Sequence, residues 1–256
     1  GNGHNTAVGA RSQREATTGE FNTSLGSLSM GVGVVTGDAN VAVGYNAGSA
    51  LTSGIKNILI GKDAGDSLTE GNFNIAIGTD ALQTEDTHGK NIAIGHAALE
   101  LLNAGADGNN IAIGYNSGVA MTTGVQNTFL GAEAGDALTT GAHNVAIGFR
   151  ALSDEDTGNN SIAVGYYALN KQNNNSNNYN IAIGHTALGE LVGGVRNTAL
   201  GHLSGNAITS GEKNTLIGME AGDALTTGDN NIIIGYAAAA SAVDVDNTTV
   251  IGTTTT

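Results

Sequence analysis

The chain has 256 residues, 40 of them glycine, a net charge of −14, and no proline, cysteine or tryptophan. That acidity argues against a nucleic-acid partner and against an anionic membrane surface, and with no cysteine no disulfide staples the fold. No apolar run approaches the roughly 20 residues of a membrane span, and an apolar fraction of 40% without proline is not a disordered composition.

Taken from the start, the first ordered element is Asn5-Thr6-Ala7-Val8-Gly9, and the same five-residue pattern returns along the whole chain. Its closing glycines are Gly9, Gly26, Gly44, Gly61, Gly78, Gly95, Gly114, Gly131, Gly148, Gly165, Gly184, Gly201, Gly218, Gly235 and Gly252. The step is 17 residues, except for 18 before Gly44 and 19 before Gly114 and Gly184. Fifteen copies at a short fixed period predict an all-β fold, a single parallel β-solenoid over residues 1–256 with no internal domain boundary. Stacked at the usual inter-strand spacing, fifteen coils make a rod roughly 70 Å long. The absence of a signal peptide and of an initial Met reads as a processed chain or a segment of a longer fibre protein.

Counted from the Asn, the second position is Ile, Val or Thr and the fourth is Val, Leu or Ile in every copy. These alternate with the third position, so the pentapeptide predicts a short strand that the glycine turns. The third position is also apolar everywhere except Ser24, and nine copies carry Ala. A strand apolar on both faces is buried on both. One face lines the coil, and the larger fourth position is assigned to it. The other face meets a partner, which predicts an oligomer.

Three residues after each of the first fourteen repeat glycines comes Ala or Ser, and there the coils divide. One kind continues with Gly and then a large apolar residue, as in Gly48/Leu51, Gly65/Leu68, Gly118/Met121 and Gly135/Leu138. The other continues with Leu, as in Leu82, Leu99, Leu152, Leu169 and Leu188. The two kinds alternate with a superperiod near 70 residues, and this stretch is predicted as a second short strand, with Ala97–Leu102 the one place open to a helical turn. The two 19-residue coils place their extra length at Asn103–Asn109 and Lys171–Asn178, expected to protrude from one edge.

Four sets of residues are candidates for more than scaffold. Asn57, Asn74, Asn91, Asn110, Asn127, Asn144, Asn180, Asn197, Asn214 and Asn231 occupy the first position, either as an amide ladder or simply as turn formers. Tyr45, Tyr115, Phe149, Tyr166 and Tyr236 share the column after the glycine with His96, His185 and His202. That column is either a structural ring stack or a stripe that contacts a receptor, joined by Lys171, Asn174 and Asn177 from a long coil; metal binding by the histidines is the remaining alternative. Asp63, Asp66, Glu133, Asp136, Glu220 and Asp223 share one spacing and are a weak calcium candidate. Solvated surface charge is the competing reading, and it also covers Asp80, Glu85, Asp86, Asp154, Glu155 and Asp156. Paired acids in a glycosidase need a cleft, which uniform coils do not supply. No cofactor and no catalytic residue is assigned, and the chain is read as a non-enzyme.

The copy Asn160-Ser161-Ile162-Ala163-Val164-Gly165 resembles the head repeat of YadA-type trimeric autotransporter adhesins, and the pattern is similar to repeats in phage tail fibres. The resemblance implies a left-handed parallel β-roll, a side-by-side homotrimer, a virion-surface or extracellular location, and attachment to a host glycan or protein receptor. Those heads use a coil near 14 residues, against 17 here. A self-assembling structural filament without a specific ligand is the alternative function. An ice-binding solenoid is a third, with Thr only intermittent at the second position.

Overall fold

The computed structural model describes residues 3–174, 176–239 and 242–253. The chain divides into two compact units, Gly1–Asn127 and Thr128–Thr256. Each is a parallel β-solenoid, and no helix occurs among the described residues.

In the first unit β1 (Thr6–Val8), β2 (Thr23–Leu25), β3 (Val41–Val43), β4 (Ile58–Ile60), β5 (Ile75–Ile77), β6 (Ile92–Ile94) and β7 (Ile111–Ile113) lie side by side in chain order. Each is parallel to the next and in register: Ile75, Ala76 and Ile77 pair with Ile92, Ala93 and Ile94. The second unit repeats the arrangement with β8 (Thr128–Leu130), β9 (Val145–Ile147), β10 (Ile162–Val164), β11 (Ile181–Ile183), β12 (Thr198–Leu200), β13 (Thr215–Ile217), β14 (Ile232–Ile234) and β15 (Thr249–Ile251). The 19-residue step is absorbed outside the strands, since Ile162 still pairs with Ile181 and Val164 with Ile183.

The strand faces are the reverse of the assignment made from side-chain size. Ala76, Ala93, Ala112, Ala146, Ala163 and Ala182, all at the third position, are completely buried. The second and fourth positions face outward and are half-buried or exposed. A three-residue strand points its middle side chain one way and its two outer ones the other. The interior is too narrow for two large residues from the strand, because the opposite wall already supplies Leu82, Leu99, Leu152 and Leu169, each fully buried.

That wall explains the superperiod. Where the third position is large, the facing residue is glycine: a Cβ built on Gly65 would lie 2.9 Å from Leu59 Cδ2, and one on Gly48 2.6 Å from Leu59 Cδ1. Phe129 faces Gly135, and Leu216 fills the space beside both Gly205 and Gly222. Leu returns opposite in the Ala76, Ala93, Ala146, Ala163 and Ala182 coils, while the Ala42 and Ala199 coils keep glycine because Leu59 and Leu216 of the following coil reach over Gly48 and Gly205. The two coil kinds thus conserve core volume by exchanging it between two columns.

The expected second short strand does not form among the described residues. Its stretch passes through left-handed stations, Asn46 at φ 61° and Gly48 at φ 55°, and in other coils Asp80 at 58° and Leu82 at 50°. It remains a coil-to-coil ladder nonetheless. Gly48 N donates to Ala64 O at 2.9 Å and Thr52 N to Thr69 O at 2.9 Å. The turn glycine is required twice over. Gly78 has φ 138°, and a Cβ there would lie 2.3 Å from Gly95 O.

Candidate functional site

The outward strand face is built from the second and fourth positions of every coil. In the described strands of both units these are Thr, Val, Ile or Leu, with no charged residue, in a chain of net charge −14. Several are well exposed: Ile162 36%, Ile183 39%, Ile232 42% and Leu200 46%. The face is regular because the strands are in register, and uncharged because both ranks are β-branched or aliphatic in every coil.

One edge of the sheet runs on into the ring column. In the first unit His96 and Tyr115 stack at 5.4 Å between ring centroids. In the second, Phe149 stacks on Tyr166 at 5.6 Å, Tyr166 on His185 at 5.0 Å, and His185 meets His202 at 5.0 Å with a tilt of 36°. Tyr167 packs edge-on against Phe149 and Tyr166, and the Arg150 guanidinium lies 5.8 Å from the Phe149 centroid. Rings stacked in this way spend their faces on one another and turn their edges to solvent. A sugar that stacks on an aromatic needs a free face. Tyr45 and Tyr236, 51% and 59% exposed, have no ring neighbour among the described residues.

The ten first-position asparagines from Asn57 to Asn231 are buried and bonded from coil to coil. In the first unit the backbone N of Asn40, Asn57, Asn74, Asn91, Asn110 and Asn127 donates to the Oδ1 of the preceding asparagine at 2.8–3.2 Å. In the second, Asn197, Asn214 and Asn231 do the same at 2.8–3.0 Å. The amide nitrogen then fastens a turn: Asn57 Nδ2 donates to Gly71 O at 2.8 Å, Asn144 Nδ2 to Gly158 O at 2.9 Å and Asn180 Nδ2 to Gly194 O at 2.8 Å. In these coils the side chain therefore closes its own coil and clamps the next, whereas Asn91 Nδ2 turns back to Gly89 O at 3.3 Å.

The acidic candidates behave in two ways. Asn46 Nδ2 donates to Asp63 at 2.9 Å and to Asp66 at 3.4 Å. Burial works to raise Asp63, but hydrogen bonds from Lys62 and Asn46 outweigh it and hold the carboxyl below its ordinary range, while burial and the Asp63 charge push Asp66 up. Glu133 pairs with Arg150, and burial, with Glu133 beside it, pushes Asp136 up to about 6. Glu220 is half-buried and Asp223 exposed. None of these six belongs to a three-ligand cluster. Among the described residues one such group exists, Glu85, Asp86 and His88, with donor atoms within 4.8 Å of one another.

Two acids read as solvated charge are not on the surface at all: Glu85 and Glu155 are completely buried. They lie seven residues after the turn glycine, in the column that elsewhere holds Leu51, Leu68, Leu102, Leu138 and Leu191. Aligning the Leu-type coils to that seventh residue would have revealed them. Of the long-coil candidates, Lys171 Nζ pairs with Glu190 at 2.6 Å, Asn174 Nδ2 donates to Gly193 O at 2.7 Å, and Asn160 Nδ2 donates to Asn177 Oδ1 at 3.1 Å. Asn175, inside the same loop, lies outside the described residues. In the other long coil Ala104 and Gly108 are buried, and Gly105, Ala106 and Asp107 are exposed.

No cavity opens among the described residues, and no helix among them is long and apolar enough to cross a membrane. No protein family, curated protein or solved structure matches this chain.

Proposed function

We propose that the chain is a non-enzymatic segment of an attachment fibre on a virion or cell surface, assembled side by side with copies of itself as a homotrimer. The observation that carries the reading is the outward strand face: two uncharged ranks, the fourth position wholly aliphatic and the second Ile, Val or Thr, on an otherwise acidic molecule. A soluble chain does not normally leave such a stripe to water, and in-register strands give a copy of the same chain a matching surface. With the ranks covered, the solvent-facing features left for a receptor include the long-coil loops and the exposed rings of Tyr45 and Tyr236.

Light scattering after size exclusion tests the assembly. The expected mass is three times 25.5 kDa, and Ile75→Glu with Ile92→Glu, on the outward face, is expected to yield a folded monomer. A well-behaved wild-type monomer refutes the assembly. Saturable binding of the labelled chain to a panel of cell surfaces, weakened when the 103–109 and 171–178 segments are shortened, supports attachment; absence of binding to every surface favours the plain structural filament.

A further inference from the structure

We infer that Glu85 and Glu155 are positioning residues, each giving up a core leucine so that a buried carboxylate can hold the loop of the following long coil in one shape. The inference rests on the attachment reading for its purpose, since that reading places receptor contact on these loops. Its geometry is independent of it.

Only two coils carry an acid in the leucine column, and each directly precedes a 19-residue coil. In the first unit Glu85 Oε2 accepts from Ala104 N at 3.2 Å, inside the long loop, while Oε1 accepts from His88 N at 3.1 Å and lies 3.5 Å from His88 Nδ1. In the second unit Glu155 Oε1 accepts from Gly158 N at 2.7 Å. Its Oε2 accepts from Gln172 Nε2 and from Asn178 Nδ2, both at 2.8 Å, and the Asn174 backbone N–H also reaches the carboxylate. Gln172, Asn174 and Asn178 all belong to the long coil.

The neighbours are adjusted to the carboxylate as a set. Ser161 interrupts the asparagine series beside this network. Gln172 supplies the missing amide, donating to Ser161 Oγ at 2.9 Å and accepting from Asn180 Nδ2 at 2.7 Å. Seventy residues apart, His88 corresponds to Gly158 and Gly108 to Asn178. A Cβ on Gly158 would lie 2.2 Å from Asn178 Nδ2, and one on Gly108 2.2 Å from Asn91 Oδ1. The side chain that meets the carboxylate comes from the glutamate's own coil in one unit and from the long coil in the other.

Stability alone does not account for this. A buried carboxylate is expensive to desolvate, and neither Glu forms an ion pair with Lys or Arg among the described residues. Among the described residues the charged and titratable groups that act on Glu85 are Asp86 and His88, and Asp156 acts on Glu155. Leucine serves the same column in 17-residue coils. What the carboxylate adds is acceptors for the N–H groups of a longer loop.

The test is Glu85→Leu and Glu155→Leu in the full chain, read by amide hydrogen exchange. The solenoid is expected to stay folded, since leucine is the column's usual residue, while exchange in 102–110 or 172–180 accelerates at least about tenfold and the strands are unchanged. Unaltered loop exchange overturns the inference. Should the leucine variants not fold, Glu85→Gln and Glu155→Gln decide. They keep the shape but turn one acceptor into a donor, so acceleration confined to the loops supports the inference, and no change or uniform acceleration overturns it. Loosened loops with undiminished cell binding uphold the positioning role and remove receptor contact from the loops.

Discussion

The volume exchange between the third strand position and the facing wall can be tested by a swap. Leu59 is fully buried and fills the space beside both Gly48 and Gly65. Leu59→Ala removes a side chain on which two coils lean, and such truncations cost about 2–5 kcal/mol depending on how far the site collapses; with glycine on both sides little can collapse, so about 4 kcal/mol is expected. Gly65→Leu alone overfills the same space, costing at least about 1–3 kcal/mol. Its backbone is permissive, because Leu82 holds the equivalent place at φ 50° against 55° for Gly65. Together the two changes recreate the Ala76/Leu82 arrangement of the next coil, leaving a gap only beside Gly48. The double variant should therefore lose no more than about 2 kcal/mol, a coupling of about 3 kcal/mol or more between the sites. Urea titrations followed by circular dichroism, for the two single variants and the double, supply the cycle. Penalties that simply add, within about 0.5 kcal/mol, refute the exchange.

Three further outcomes are expected. Asn57→Ala leaves Asn74 N and Gly71 O without their partner, lowering stability by about 2–4 kcal/mol in the same titration. Gly78→Ala puts a Cβ against Gly95 O, and soluble yield is expected to fall well below that of the asparagine variant. Asp136, pushed up to about 6 by burial and by Glu133, binds its proton in the native state before the unfolded chain does. Stability from this group is therefore present at low pH and lost as pH rises through about 6; the full shift is worth about 3 kcal/mol, which partial exposure reduces to about 1 kcal/mol. Asp136→Asn should raise the melting temperature near pH 7 and lose that advantage near pH 4, as a thermal-melt series across pH will read.

The period, the strand positions and the turn glycines were legible because each imposes a residue type visible in one coil and repeated in the next. Gly78 is the clearest case, since both its φ and the approach of Gly95 O forbid a side chain. The inner face was not legible. Ile75-Ala76-Ile77 is apolar on both sides, and size pointed the wrong way because the large core residues, Leu82 and Leu99, come from the opposite wall. The ring column was visible in the sequence, but whether its faces are free depends on stacking geometry that spacing does not supply. Glu85 and Glu155 were hidden by their surroundings of Asp and Thr, which read as turn charge. Only the alignment of each with the leucine column marks it as core.

The chain contains no cysteine, so one thiol at a time can report the orientation of β6, the claim on which the fold and the outward face both rest. Ile92→Cys, Ala93→Cys and Ile94→Cys are labelled with a maleimide in the native protein, diluted until copies separate, and again in urea. The account predicts that the thiols at 92 and 94 react in the native protein and that the thiol at 93 reacts only after unfolding. A native thiol at 93 that reacts as fast as in urea, with 92 and 94 protected, would contradict it.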